Sequence, residues 1–296
     1  MRLPDKVVEN ALRLLAMSSI GILIAITLFV FREGAPLIWK VGLINFLGAD
    51  WHPTAGRYGI ALMLIGSAAV TGGALAIGVP LGLASAVVLA ELAPSRLRRA
   101  LKPAIEILGG IPSVVYGFMG IVVLLPWIRQ YLGGPGASGL AAAVILGVMI
   151  LPTIVSISLD ALEAVPRAYR EGSLAMGATG WQTIRRVVLP GARSGIVAAV
   201  ILGMGRAVGE TMAVVMVAGN AVQLPRSPLA PLRTLTANLA LEMGYAAGDH
   251  RAALFATAVV LFTIVVALNG LAGLARSRRM HRPRRLSSRR KTAVPR

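Results

Sequence analysis

The sequence predicts an all-α integral membrane protein that crosses the bilayer six times. Hydrophobic residues make up 56% of the 296 residues and charged residues only 14%, which is more apolar than a soluble domain of this length requires. Apolar runs long enough to span a hydrocarbon core of roughly 30 Å occur six times. Lys and Arg residues gather at both termini and in alternate connecting segments, which supports an even number of crossings.

The predicted spans cover residues 14–31, 59–90, 107–128, 140–159, 194–220 and 252–275. The first is followed by Phe31, Arg32 and Glu33 instead of the small residues of a cleavage site, so we interpret it as a retained anchor and not a secretion signal. The second is too long to stand upright, and we expect it to tilt, bend or protrude. Its candidate bending points are Gly72, Gly73, Gly78, Pro80 and Gly82.

Charge asymmetry predicts the orientation. Most of the 30 Lys and Arg residues lie at the two termini and in segments 91–106 and 164–193, which places these parts, with both termini, in the cytoplasm. We divide the chain into residues 1–58 (N-terminal tail, first span and external arm), 59–275 (a five-span core with a cytoplasmic helix at about 164–178) and 276–296 (a basic tail). The tail composition predicts a disordered segment on membrane lipid, and without aromatic residues to stack on bases we expect no nucleic-acid partner.

Two opposite charges interrupt the fifth predicted span. In a continuous helix Arg206 and Glu210 share one face, one turn apart. An arginine at the centre of a membrane helix costs roughly 2.5 to 3.5 kcal/mol and usually faces a bundle interior or a watery cavity. The pair therefore indicates a solute path, the alternative being that Glu210 only neutralises Arg206 for packing. Gly205 and Gly209 have the spacing of close helix packing.

Residues 109–117 of the third span, GGIPSVVYG, are also irregular. Pro112 removes a backbone donor, and the glycines reduce side-chain bulk, so the segment predicts either a broken helix that lines a path or a close-packed crossing. For the first alternative the candidate lining residues are Ile111, Pro112, Ser113 and Tyr116.

The external segments are less informative. Trp39 and Trp51 in the arm are typical of aromatic anchors at the membrane interface, with contact to an external protein as the alternative. Residues 221–251 are long enough to meet an external partner.

The segment between the fourth and fifth spans predicts a helical hairpin. Pro166 suits the first turn of a helix and Gly177 its end. Thr179 and Gln182 make a capping-box pattern for a second amphipathic helix, which we expect to end at Pro190 before the next span. Such a hairpin either offers a soluble partner a rigid lever or lies on the lipid surface.

This hairpin resembles the EAA loop of ABC importer permeases, in which Glu-Ala-Ala is followed by three residues, Gly, nine residues and Ile-x-Leu-Pro. The spacing matches throughout, with glycine and serine in place of the alanines and Val187 in place of isoleucine. The resemblance implies a coupling helix that docks on an ATPase subunit. The residues that it assigns to coupling are Glu171, Gly172, Ser173, Gly177, Leu189 and Pro190.

Residues 109–117, 205–213 and 236–244 resemble the C-type (PstC-type) permeases of phosphate ABC importers. The resemblance implies a type I, MetI-like fold in a bacterial cytoplasmic (inner) membrane, and a phosphate path that includes Arg206, Glu210 and Thr211. It implies as partners a PstA-type permease, forming a heterodimer, a dimer of PstB-type ATPase subunits and an extracytoplasmic phosphate-binding protein. A related oxyanion such as phosphonate is the alternative cargo.

The sequence contains no P-loop motif, G-x-x-x-x-G-K-[ST]. We therefore expect a transport subunit that is not itself an enzyme and binds no cofactor, with ATP and Mg used by the partner ATPase. Its three histidines belong to no metal-binding motif and it has no cysteine, so we expect no metal site. A self-contained ion-coupled anion transporter is a weaker alternative, because Glu210 is the one carboxylate deep in a predicted span and no internal repeat is evident.

Overall fold

The computed structural model describes residues 5–277, and this part of the chain is predominantly helical. Six of its helical segments are long and apolar enough to cross a membrane, which confirms the predicted number. They cover Glu9–Val41, Ala61–Leu92, Ser113–Tyr131, Gly139–Glu163, Gly180–Gly209 and Gly248–Gly270. The predicted basic tail lies outside the described residues from position 278 onward.

The elements are numbered along the chain. The α-helices are α1 (Asp5–Val41), α2 (Leu43–Phe46), α3 (Ala61–Val87), α4 (Ser95–Gly109), α5 (Ser113–Met119), α6 (Leu125–Tyr131), α7 (Gly139–Glu163), α8 (Arg167–Ala175), α9 (Gly180–Thr183), α10 (Leu189–Gly209), α11 (Met212–Val217), α12 (Leu235–Glu242) and α13 (Gly248–Ser277). π-helical turns cover Val88–Leu92, Gly120–Leu124 and Ile184–Val188, and two short strands are β1 (Trp51–His52) and β2 (Arg57–Tyr58).

Helix α7 lies at the centre of the bundle, where it packs against α3 and α10. A β-carbon at Gly78 would approach Ile150 of α7 to 2.7 Å, and one at Gly82 would approach Ile154 to 2.8 Å. These glycines therefore let two helices approach closely. Helix α3 continues through Pro80 to its end, and the backbone departs from α-helical geometry only in the π-helical turn that follows.

Helices α1 and α13 form an outer pair beside this core. A β-carbon at Gly34 would lie 2.6 Å from the backbone of Phe255 and Ala256, and the ring of Phe29 meets that of Phe255 edge to face at 5.5 Å. Helix α1 runs past Arg32 to Val41, so the predicted end at residue 31 is wrong. Contacts with α13 stabilise this longer helix, because α1 still packs against α13 beyond the end of its apolar run.

The external arm folds back onto the bundle as a small antiparallel hairpin in which Trp51 pairs with Tyr58. Trp51 is buried, and its indole Nε1 donates a 3.0 Å hydrogen bond to Glu242 of α12. The prediction that Trp51 anchors the arm at the membrane interface is therefore wrong, because its ring lies inside the protein. Trp39 is 87% exposed, and its interfacial role stays a prediction.

Candidate functional site

The segment predicted as the fifth span is interrupted at residues 210–211, directly after the observed span, and this interruption is here called the fifth-span break. Helix α10 ends at Gly209, Glu210 is extended (φ −70°, ψ 133°), and α11 begins at Met212. The Glu210 carboxylate accepts a 3.2 Å hydrogen bond from the backbone N–H of Ala213, so it satisfies a donor at the start of α11. The prediction of one continuous helix over residues 194–220 is wrong, because this capping favours a new helix start.

Arg206 lies half-buried in the last turn of α10. Its Nη2 donates a 3.3 Å hydrogen bond to the carbonyl oxygen of Gly109, the last residue of α4. A cation is favourable at a helix C-terminus, where carbonyl groups point outward. Within residues 5–277 Arg206 and Glu210 form no ion pair, so the structure gives no support to the alternative in which Glu210 only neutralises Arg206 across one helical turn.

The segment predicted as the third span is also interrupted, at residues 110–112, directly before the observed span, and this interruption is here called the third-span break. Residues 107–109 belong to α4, so the span begins at Ser113 and not at residue 107 as predicted. The break and the close packing named in the two sequence-based alternatives are both present, whereas the lining of a path stays a prediction. The chain breaks before Pro112, and beyond it Gly117 packs so closely on α11 that a β-carbon would lie 3.1 Å from the Cα of Ala213.

The candidate lining residues of the third span flank its break. Pro112 is exposed, whereas Ile111, Ser113 and Tyr116 are half-buried. The Tyr116 hydroxyl donates a 2.8 Å hydrogen bond to the carbonyl oxygen of Leu108, which joins the helices on the two sides of the break. The structure thus brings this segment and Arg206 together, because Gly109 immediately precedes the break.

Hydroxyl groups surround the fifth-span break. Thr236 on α12 donates a 2.8 Å hydrogen bond to the carbonyl oxygen of Glu210, and the Thr211 hydroxyl lies 3.4 Å from the carbonyl oxygen of Gly209. A cavity of about 10 Å³ adjoins Glu210, with room for about one water molecule. Its polar lining residues are Ser67, Thr71, Glu210, Thr234 and Thr236. Sequence reasoning missed Thr236, although it opens the 236–244 block.

Gly205 and Gly209 of α10 do not serve packing within the described chain. A β-carbon at Gly205 or at Gly209 would meet no atom within 4 Å in the part of the chain that the structure describes. The prediction that these two glycines form a helix-packing motif is therefore wrong for contacts inside this subunit. Their spacing leaves an open strip on α10 beside Arg206.

The predicted hairpin between the fourth and fifth spans is present as α8 and α9. Gly177 adopts the left-handed conformation (φ +81°) that ends α8, and Thr179 and Gln182 form the predicted capping box. The Ser173 and Thr183 hydroxyls lie 2.9 Å apart and join the two helices. Glu171 and Gly172 are exposed on α8. The hairpin therefore offers a solvent-accessible surface whose two helices are joined by a hydrogen bond.

The second helix of the hairpin does not end at Pro190, so that prediction is wrong. After α9 the chain forms the π-helical turn 184–188 and continues directly into α10, with Leu189 half-buried and Pro190 in the first turn of that helix. The hairpin and the fifth span are therefore one connected element.

A charged cluster behind the arm was also missed at the level of sequence. Glu242 is buried and accepts hydrogen bonds from Arg233 (2.6 Å) and Trp51 (3.0 Å), and the His250 ring nitrogen lies 2.8 Å from its carboxylate. Arg233 also donates to the carbonyl oxygen of Asn220 at 2.8 Å. The cluster joins the arm, the 218–234 loop, α12 and α13 at one point.

Comparisons with known proteins agree with this architecture. A probable ABC transporter permease protein, YqgH of Bacillus subtilis, is 47% identical over 236 residues, covering 78% of this chain and 76% of the relative. The phosphate transport system permease protein PstC of Mesorhizobium japonicum is 34% identical over 291 residues, covering 91% and 89%. A solved inward-facing structure of the MetNI methionine ABC transporter matches with a TM-score of 0.59 at 25% identity, covering 77% of this chain and 98% of that chain.

The fold is that of the MetI-type ABC importer permeases, which are multi-pass membrane subunits. Residues 78–281 match the family model described as binding-protein-dependent transport system inner membrane component. The chain belongs to this family.

Proposed function

We propose that this chain is the permease subunit of an ATP-driven importer that moves inorganic phosphate across the cytoplasmic membrane by alternating access. The observation that carries the proposal is Arg206, a cation held half-buried beside the breaks that adjoin two membrane spans. The identity of 34% to a phosphate transport permease, over 91% of this chain, supports phosphate as the cargo.

The chemistry of the break region suits an anion. Moving a charged group into a dry, low-dielectric interior costs on the order of 20 kcal/mol, so a phosphate path needs fixed donors and water. The guanidinium of Arg206 is a planar fork that matches phosphate oxygens, and one of its N–H groups is directed at Gly109. We propose that the remaining donors meet the cargo, with the Thr211 hydroxyl nearby and Glu210 holding the break open as the cap of α11.

We propose that the third-span break lines the same path through Ile111, Pro112, Ser113 and Tyr116. The location of these four residues supports this role, because the break follows Gly109, whose carbonyl oxygen accepts a hydrogen bond from Arg206. Gly205 and Gly209 leave an open strip on the same helix, which suits a path or the face of a second permease subunit.

Energy for transport would come from outside this chain, whose sequence has no P-loop. We propose that the exposed hairpin, with Glu171, Gly172, Ser173, Gly177, Leu189 and Pro190, docks on a PstB-type ATPase dimer that uses ATP and Mg. A PstA-type permease would complete the pore, and an extracytoplasmic phosphate-binding protein would deliver the cargo. The charge asymmetry of the sequence supports both termini in the cytoplasm.

Reconstitution in proteoliposomes tests the proposal. We expect labelled phosphate uptake only when this chain is assembled with the second permease, the ATPase and the binding protein, and only with ATP. Uptake driven by an ion gradient without the ATPase would contradict the proposal in favour of a symporter. Competition by phosphonate or arsenate at concentrations near that of phosphate would instead favour a broader oxyanion permease.

A further inference from the structure

The end of the bundle that carries α8 contains an arginine with several partners. Arg170 on α8 donates from Nη2 to Glu91 Oε1 at 2.8 Å and from Nε to both oxygens of that carboxylate. It also donates to the carbonyl oxygens of Leu162 and Val165, at and just beyond the end of α7. The Arg170 and Glu91 side chains are only 20% and 11% exposed, so solvent and salt screen this pair weakly.

A second arginine contacts the same π-helical turn from the other side. Arg98 on α4 donates to the carbonyl oxygens of Leu89 (2.7 Å) and Ala90, and its Nη1 lies 3.1 Å from Glu163 at the end of α7. Because Glu91 belongs to the same turn, the turn 88–92 is bonded to α8 through one arginine and to α4 through the other.

Helix α4 connects this turn to the break region. Lys102, one turn beyond Arg98, donates a 2.8 Å hydrogen bond to Asp160 of α7, and this bond raises the pKa of Lys102 above its ordinary value. The helix then ends at Gly109, whose carbonyl oxygen accepts the hydrogen bond from Arg206. A continuous series of contacts therefore runs from the exposed hairpin to the arginine of the proposed phosphate path.

We propose that Arg170, Glu91 and Arg98 are positioning residues that transmit movement of α8 to α4 and thereby set the contact between Gly109 and Arg206. The inference rests on the proposed function, since it assumes that an ATPase moves α8. The bonds suit transmission because a bidentate arginine–carboxylate pair fixes orientation as well as distance. A purely structural staple would affect assembly and stability but not the amount of phosphate moved for each ATP hydrolysed.

The test is a charge exchange in the assembled transporter in proteoliposomes, with phosphate uptake and ATP hydrolysis measured together. Arg170→Glu and Glu91→Arg are each expected to lower the phosphate moved per ATP by about 2-fold to about 30-fold, the range found for mutations along coupling networks. The double variant should recover part of that ratio. Arg98→Gln should lower the ratio in the same direction while the ATPase stays bound.

The matched control exchanges Lys40 and Asp249, an exposed ion pair that joins α1 to α13. We expect the phosphate-to-ATP ratio of this control to stay at the wild-type value. Arg170→Lys keeps the positive charge but loses the bidentate guanidinium, and it should give an intermediate phosphate-to-ATP ratio. This variant replaces the charge-reversed variants if they do not assemble.

Two results would overturn the inference. One is an unchanged phosphate-to-ATP ratio in the assembled Arg170→Lys and Arg98→Gln variants. The other is a double exchange that recovers nothing over its single variants. A wild-type complex that imports no phosphate would contradict the proposed function itself. Normal uptake by the wild type, combined with a normal phosphate-to-ATP ratio in the variants, would contradict only the proposed transmission, so the two failures are distinguishable.

Discussion

The guanidinium of Arg206 and the carbonyl oxygen of Gly109 join two interrupted helices, although the residues are 97 positions apart in the chain. The contact sets a cation against the last carbonyl group of α4, next to the third-span break. Any rearrangement of α4 relative to α10 must lengthen or replace this bond. The relationship therefore couples the position of α4 to the orientation of the charged group in the fifth span.

Arg206→Gln is expected to lower phosphate uptake by at least about tenfold, since the loss of one charge-assisted hydrogen bond costs roughly 1.5 to 3 kcal/mol. Arg206→Lys keeps the charge but not the fork, and should retain an intermediate rate. Arg129→Gln is the control, because this exposed arginine also bonds to a backbone carbonyl, that of Pro135. Normal uptake in both Arg206 variants, measured with labelled phosphate in the assembled complex, would remove Arg206 from the path.

Gly117→Ala should push α5 away from α11. Its β-carbon would lie 2.6 Å from the sulfur of Met216 and 3.1 Å from the Cα of Ala213, and overpacking of this kind typically costs about 1 to 3 kcal/mol. We expect a lower melting temperature of the purified subunit in detergent and slower phosphate uptake. Gly21→Ala on α1, where a β-carbon meets nothing within 4 Å, should not lower the melting temperature. Equal melting temperatures of the two variants would argue against tight packing at Gly117.

Features set by neighbours in sequence were predictable. The six spans follow from apolar length, and the α8–α9 hairpin follows from local capping rules, with Gly177 left-handed and Thr179 paired with Gln182 as expected. These elements need no information from elsewhere in the chain, because hydropathy and capping act within a few residues.

Features set by distant partners were not predictable in the same way. Hydropathy does not register the fifth-span break. At the break the Glu210 side chain accepts a hydrogen bond from the backbone N–H of Ala213, and the backbone carbonyl of Glu210 accepts one from Thr236, which lies 26 positions further along the chain. The burial of Trp51 depends on Glu242, 191 positions away. From sequence alone each of these side chains fits more than one role, because its partner becomes a neighbour only when the helices pack together.

Glu242→Gln should strongly destabilise the end of the bundle that carries the arm. The substitution keeps the shape of the side chain but leaves the charge of Arg233, 19% exposed, without its carboxylate partner. Breaking a buried ion pair by removing one partner costs about 3 to 5 kcal/mol. Asp249→Asn is the control, because its pair with Lys40 is more than half exposed and should contribute less than about 1 kcal/mol. Melting temperatures of the two variants in detergent measure the difference, and equal values would show that the buried cluster is not a stabilising centre.

Gly177→Ala should weaken the proposed coupling surface without disturbing the membrane core. The position is left-handed (φ +81°) with open space around it, so the cost is conformational, roughly 1 to 2 kcal/mol for an L-residue. That strain should displace the end of α8 and reduce the amount of ATPase that co-purifies with the permease. Gly133→Ala is the matched control, because this glycine is also left-handed (φ +79°) with open space around it but lies outside the proposed coupling hairpin, so the same strain there should leave the amount of co-purified ATPase unchanged. If both variants retained the ATPase equally, the left-handed turn would have no part in docking, and the coupling surface would have to be sought on α9, where Trp181 is exposed.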